Sequence, residues 1–517
     1  MKPPKQSKKL DKRTDSIAKS THFIDSNNFI NQELLSEHLA QRPNEIPDYG
    51  SGPKAVRKII HNHHLLDFNP ELNTASYVNV MFEEEEEEVA LMGLKVNLAD
   101  QTVYPESYKI HDRLVNMIAH LWNCPEPKDL QAYGVYPGAC TVGSTEACLL
   151  AGLALKFRWR NWFAKRHQLD KNEVLKEQPN IVISTCYQAA WEKLFKYMDV
   201  GYRFIQPSSK TFTMDPAKIY EAVDEHTIGV VAIMGNHYAG QYDPIWEINE
   251  VVEDINQKKG YQIGIHVDAA SGGFIAPFQK ALPPWDFRLK NVLSISASGH
   301  KYGVSCCGTG WVIWRERKNL SEHVAVSMTY LGGKIDSYTL NFSRPASGVY
   351  VQYYKFLRYG IEGYRAYTHI TMSYAKEIQA GLAAMTYKGK PRFIMLNQHD
   401  NNCLPVVAAM LNPACRLSYN CIDLQHALSQ HHWYVAGYEM VFNDPLTGKK
   451  TPLLSDQSLS TSMFRIVVKN NISATMVQHL LDSFKKALEL LDSIDFNSNN
   501  VHTHLLRHKD QIVTNHC

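Results

Sequence analysis

From about residue 130 to 315, short apolar runs alternate with stretches of helical spacing, and this alternation leaves few ways to fold the chain. PNIVIST (179–185), TIGVVAIMG (227–235), YQIGIHVDAA (261–270), NVLSISA (291–297) and GTGWVIWR (308–315) have strand length. QAAWEKLFKYM (188–198) and IWEINEVVEDINQKK (245–259) carry apolar residues at helical spacing between them. Strands apolar at nearly every position are buried on both faces, which predicts a mostly parallel sheet covered by helices on each side. Ligands of such sheets bind at the carboxyl ends of the strands. The unusual residues of this chain fall there.

The flanks read differently. Residues 1 to about 25 are polar and basic, a tail, and NFINQELLSEHL (28–39) has helical spacing. The acidic run at 83–88 reads as a solvated helix face or a helix start, where carboxylates suit the positive end of the dipole. Beyond 345, VYVQYYKFLRYGIEGYRAYTHITMSYAKEIQAGLAAM (349–385) reads as long helix. RFIMLN, LPVVAAM and MFRIVVK then alternate with helical stretches, as in a smaller α+β domain closed by a helix near 476–494. The expected divisions are a tail and helical segment (1–71), a large domain (72–371), a small domain (372–494) and a C-terminal tail (495–517).

A chain of 517 residues is too long for one simple core. Its formal net charge of +2 gives no reason to propose a nucleic-acid partner. No apolar run reaches membrane-spanning length, so no membrane association is expected. The basic start lacks the apolar core of a signal peptide. Of the ten cysteines none forms a CxxC pair, and the adjacent Cys306 and Cys307 are expected to be reduced thiols. The expected compartment is the cytoplasm, and no metal is expected.

Four segments carry chemistry. In PGACTVGSTEACLLAGL, Gly143, Ser144 and Thr145 precede an apolar helix; free N–H groups and two hydroxyls suit a phosphate, although a plain N-cap has the same pattern. In HVDAASGG (266–273), Asp268 ends a strand-like run, and Ala269, Ala270 and the following small residues allow a flat ring to approach. A carboxylate there is solvated, caps the next turn or pairs with a buried cation. In SGHK (298–301), Lys301 arrives one strand later, so the two residues end neighbouring strands. In MFRIVVK (463–469), Arg465 interrupts a strand-like run, either on an exposed edge or as a two-pronged partner for a carboxylate. Together these are the parts of a pyridoxal 5′-phosphate site acting on an amino acid: a phosphate cradle, a carboxylate for the pyridine nitrogen, a Schiff-base lysine and an arginine for the substrate.

The segments GSTEACLLAGLALKFRWR, HVDAASGGFIAPF, WDFRLKNVLSISASGHKYG, GTGWVIWR, YLGGKIDSYTLNFSRPAS and YYKFLRYGIEGYR resemble the glutamate decarboxylase family of group II pyridoxal-phosphate enzymes. The resemblance runs from about residue 70 to 370 and more thinly to about 490. It implies an α/β, aspartate-aminotransferase-like (fold type I) architecture, with a mostly parallel seven-stranded-type sheet and a smaller α+β domain. It implies a homodimer, or an assembly of dimers, with active sites at the subunit interface. It implies that Lys301 is the Schiff-base lysine, that His300, Ser144, Thr145 and Ser298 lie at the cofactor phosphate, and that Asp268 pairs with the ring nitrogen. Gln188 would stack on the ring beside Ala270. Phe342 and Ser343 would reach the other subunit's cofactor, and Tyr330, on a mobile loop, would protonate the substrate carbon. Ser76, Tyr77, Asn97 and Asp100 match the region that binds the distal carboxylate of glutamate.

Two departures stand out. Ser76 and Tyr77 fall where the family commonly has threonine and phenylalanine. In GNHYAGQY (235–242), His237 stands where the family has a threonine next to the cofactor. A histidine is larger and titrates near neutrality. The expected reaction is therefore decarboxylation of an L-amino acid, L-glutamate to γ-aminobutyrate first, with an aromatic or other acidic amino acid as the alternative. Aminotransferase or other lyase chemistry, and an inactive homologue serving as a scaffold, stand further off. The tail residues His502, His504, His508 and His516 fit either a solvated end or a pH-dependent plug.

Overall fold

The computed structural model describes residues 43–47, 50–320, 326–328, 335–397 and 402–494. The stretch 28–39, Tyr330 and the tail histidines lie outside them. The chain divides into two units at Pro70/Glu71. In the first, the helix Pro53–His64 starts with a proline at its first turn, where the missing N–H costs no hydrogen bond.

The second unit carries the expected sheet. Its strands are β1 (Gly138–Val142), β2 (Asn180–Ser184), β3 (Gly201–Ile205), β4 (Thr227–Ile233), β5 (Gly264–Asp268), β6 (Val292–Ser298) and β7 (Thr309–Trp314). Their order is β1-β7-β6-β5-β4-β2-β3. β2, β4, β5 and β6 are buried at every residue, which is why the sequence shows apolar runs there rather than alternation. The pairs from β3 through β6 are parallel, and β7 runs antiparallel to both β6 and β1. That reversal follows from chain length: the link Gly299–Gly308 is too short for the crossover that parallel neighbours need.

This topology gathers several strand ends on one edge. Asp268 lies opposite Ile233 of β4 and Ser296 of β6. Because β7 runs backwards, its first residue, Thr309, lies opposite Val142 at the end of β1. The segments after β1, β4, β5 and β6 and the start of β7 therefore share the carboxyl edge.

A second sheet of four antiparallel strands orders Phe393–Met395, Val406–Leu411, Ser462–Val467 and Ala436–Glu439. The helices Cys421–Ser429 and Ala474–Ser493 pack apolar faces on its core with Phe393, Phe464 and Trp433. The long helix Ser347–Ala383 is interrupted at Gly360, which takes φ 58° and ψ −173°. Among the described residues no helix is long and apolar enough to cross a membrane.

The acidic run does start a helix, Glu84–Gly93, capped reciprocally by Glu83 and Glu86. It is not wholly solvated. Glu86 is buried and pairs with buried Lys355 at 2.6 Å, fastening this helix to Ser347–Ala383. Lys355→Met leaves a buried carboxylate unpaired and is expected to cost about 3–5 kcal/mol in denaturant unfolding. Adding Glu86→Gln, which keeps a capping acceptor without the charge, is expected to recover most of that loss.

Candidate active site

Lys301 follows β6 on a turn and is partly buried. Its Nζ donates to Ser271 Oγ at 3.1 Å and lies 5.3 Å from the centre of the Tyr77 ring. Burial lowers its pKa to about 8, opposed by the charge of Asp268 and assisted by Arg465. A lysine so placed has an accessible free amine near neutral pH, as a carbonyl-condensing amine requires.

Asp268 ends β5, 5% exposed. Its Oδ2 accepts from Trp191 Nε1 at 2.8 Å and its Oδ1 from the Ala270 N–H at 3.1 Å. Ala270 in turn accepts from the Ser298 N–H at 3.0 Å, which locks the ends of β5 and β6 together. Behind them, buried His266 lies between Ser294 Oγ (2.8 Å) and Ser296 Oγ (3.1 Å). Trp191 and Ser271 were not singled out from the sequence; both lie in quoted motifs, but their roles rest on partners distant in the chain.

The phosphate candidates converge as the topology requires. Gly143 has φ +70° and opens the helix Gly143–His167, which no side chain caps. A Cβ on Gly310 would fall 2.3 Å from the Gly143 carbonyl carbon, so only glycine lets β7 lie this close to the turn. His300 Nδ1 lies 2.7 Å from the Thr309 carbonyl, and a Cβ built on Gly143 would sit 3.6 Å from His300 Cε1. Ser298 Oγ is buried without a partner. A helix start, two hydroxyls at Ser144 and Thr145, and an orphaned buried hydroxyl on the same edge fit a phosphate-bearing group. Gln188 lies at the neighbouring β2 end, where its Oε1 accepts from the Ala190 N–H at 2.8 Å.

His237 departs from its sequence reading. Its Nδ1 is buried and unpartnered, and burial, with Arg465 and Lys301 nearby, lowers its pKa to about 3. It is a neutral imidazole at neutral pH, not a group titrating near it. Its carbonyl is also a hub. It accepts from Tyr77 Oη at 3.3 Å and from Arg465 Nη1. Arg465, on the strand Ser462–Val467, is 8% exposed, so it is no surface residue. Its Nη2 donates to the Ala75 carbonyl at 2.7 Å, its Nε is buried and unpartnered, and its guanidinium lies 5.0 Å from the Tyr77 ring centre. The fork is partly taken by backbone, and three N–H groups remain for a carboxylate. Tyr77 thus lies against both the lysine and the arginine cations, and burial keeps its phenol a neutral donor.

The remaining candidates form a second group. Asn97 Nδ2 donates to Ser343 Oγ at 3.2 Å, and Asn97 Oδ1 accepts from the Arg344 N–H at 3.3 Å. Asp100 Oδ1 accepts from the Val103 N–H at 3.1 Å. The Asn341 N–H, next to Phe342, donates to Glu146 at 2.9 Å. Among the described residues no hydrogen bond joins Asn97 or Asp100 to Ser76 or Tyr77. A cavity of about 700 Å³ beside Gly360, lined by Phe278, Trp285 and Tyr364, contains none of these residues.

A partly buried lysine and a buried aspartate at adjacent strand ends, beside a helix start that fits a phosphate, are the arrangement of a pyridoxal-phosphate enzyme of fold type I. Residues 91–407 match the pyridoxal-dependent decarboxylase conserved domain. The chain is 35% identical over 463 residues to the glutamate decarboxylase of Lactococcus lactis, covering 89% of this chain and 90% of that one. It is 34% identical to the tomato (Solanum lycopersicum) glutamate decarboxylase, over 87% of this chain and 83% of that one. The solved glutamate decarboxylase of Lactobacillus brevis superposes with a TM-score of 0.77 at 34% identity, covering 88% of this chain and 98% of that one. The chain belongs to the glutamate decarboxylase family of pyridoxal-dependent decarboxylases. It is an amino acid decarboxylase that uses pyridoxal phosphate.

Besides His237, burial lowers His266 and His300 to about 4. For each, the unfolded state binds a proton below about pH 6.5 that the folded state refuses, so stability rises with pH across that window and is lost as pH falls from 6.5 towards 4. A melting-temperature series over this range is expected to fall, and to fall less in His237→Thr. An identical fall in both proteins would place the His237 titration elsewhere.

Proposed function

We propose that the protein converts L-glutamate to γ-aminobutyrate and carbon dioxide. The observation that carries this reading is that Lys301 and Arg465 both lie against the Tyr77 ring, 5.3 Å and 5.0 Å from its centre, in a chain aligned over most of its length with glutamate decarboxylases. Bound pyridoxal phosphate supplies an aldehyde for the substrate amine and a ring that accepts the electrons of the breaking Cα bond. Lys301 would hold the cofactor covalently through its Nζ. Ser144, Thr145, Ser298 and His300 bind its phosphate. Asp268, fixed by Trp191, would keep the ring nitrogen protonated. Gln188, Ala270 and His237 line the ring.

Arg465 would hold the substrate carboxylate with its remaining N–H groups and so fix the orientation of the Cα–carboxylate bond. That bond breaks, carbon dioxide leaves, and a proton replaces it at Cα. Tyr330, outside the described residues, and Lys301 are the proton donors in this reading. Ser76 and Tyr77 meet the distal end of the substrate.

Asn97, Asp100, Phe342 and Ser343 are read as serving the site of a second copy, in a homodimer. Support comes from the apolar side chains left exposed on the segment of Phe342 and Ser343, Phe342 at 38% and Leu340 at 48%. The reading places the enzyme in the cytoplasm; the described cysteines are all free thiols, as a reducing compartment keeps them.

Borohydride reduction of the cofactor-loaded protein is expected to fix the cofactor on the peptide carrying Lys301, and Lys301→Ala is expected to take up none covalently. Arg465→Met is expected to lower kcat/KM for L-glutamate about 10- to 150-fold, the size of losing hydrogen bonds to a charged group. Unchanged kcat/KM would remove Arg465 from the substrate.

A further inference from the structure

The segment Asn73–Asn79 has no regular structure, yet it carries Ser76 and Tyr77. It is held by the residues of, and just beyond, the strand Ser462–Val467. The Val467 N–H donates to the Thr74 carbonyl at 2.8 Å, and Arg465 donates to the Ala75 carbonyl. At its far end the Asn79 N–H donates to the His300 carbonyl at 2.8 Å, next to the cofactor lysine. Asn470 Nδ2 reaches Asn79 Oδ1 at 3.3 Å. The segment is thus a strap between the arginine strand and the lysine turn.

Lys469 is the unexpected part of this arrangement. It is 2% exposed, and among the described residues no carboxylate pairs with it. Its Nζ donates to the Val78 carbonyl at 3.0 Å and more weakly to the Asn73 carbonyl at 3.4 Å. Those two carbonyls bracket the turn that presents Ser76 and Tyr77. The turn has three other internal ties, from the Ala75 N–H (2.9 Å) and the Ser76 N–H (3.3 Å) to Asn73 Oδ1 and from the Val78 N–H to Ser76 Oγ (3.2 Å). In extended chain, residues 465, 467 and 469 project to one side. Two cations on that side both spend donors on strap carbonyls. A desolvated ammonium with no counter-charge is expensive, and its pKa falls to about 8 by burial alone. A lysine retained there without a salt bridge does something that an apolar residue of the same length would not.

We propose that Lys469 is a positioning residue for the substrate, closing the Asn73–Val78 turn so that Ser76 and Tyr77 stand at the height the substrate side chain requires. The proposal rests on the reading that Ser76 and Tyr77 meet the substrate's distal end. Lys469 itself touches neither substrate nor cofactor. Its loss therefore changes the fit of the side-chain pocket and leaves the chemistry at Cα intact.

The test is steady-state kinetics of the holoenzyme with L-glutamate, with the cofactor dissociation constant measured alongside. Lys469→Met is expected to raise KM about ten-fold, the size of a lost charge-assisted hydrogen bond, with kcat and cofactor affinity nearly unchanged. Lys469→Arg is expected to restore most of the KM. Ser76→Ala alone is expected to raise KM, and in that background Lys469→Met is expected to add little, because both act through one turn. Should Lys469→Met fail to fold, Lys469→Gln is carried through the same cycle. If Ser76→Ala raises KM and Lys469→Met or Lys469→Gln does not, or the two effects simply multiply, the positioning role is overturned and the substrate reading stands. If Ser76→Ala leaves KM unchanged, both are overturned.

Discussion

The register of β5 on β6 is the constraint on which the site depends. With Asp268 opposite Ser296, the two strands end together, and the turn after β6 brings Lys301 back beside the carboxylate. A slip of one residue would turn Asp268 to the other face of the sheet. The register is pinned by bonds at the ends themselves, Ala270 to Asp268 and Ser298 to Ala270, and by His266 between two serines of β6. The antiparallel β7 completes the edge by bringing Thr309 and Gly310 against the Gly143 turn. Strand ends that lie far apart in the chain thus meet on one edge of the sheet.

Burial then sets the charge states. Lys301 loses part of its affinity for a proton because it is desolvated, with the cation Arg465 nearby and Asp268 opposing. The same desolvation keeps His237 and His300 neutral. The pocket therefore presents a weakly basic amine and a permanent guanidinium, both close to one phenol. This electrostatic pattern suits a substrate with a carboxylate at Cα and an acceptor at its far end.

Much of this was legible in the sequence because it follows from local pattern. Runs of buried residues in β2, β4, β5 and β6 mark a sheet covered on both faces, and strand ends mark Asp268 and Lys301. The reversal of β7 was not read, although its short connection carries the signal. Trp191, Ser271 and Lys469 were not picked out, since nothing local distinguishes an indole or an ammonium that will meet a carboxylate or a carbonyl from afar. Glu86 hid in a run of identical residues, only its helical phase against Lys355 setting it apart. His237 was recognised as a departure, but its neutrality depends on tertiary burial and on Arg465.

The most direct test of the account is carbon-dioxide release by the cofactor-loaded protein across the common L-amino acids, with the amine product identified. The account predicts release from L-glutamate, with γ-aminobutyrate as the product. Release from an aromatic amino acid in preference to glutamate, or from none, would contradict it.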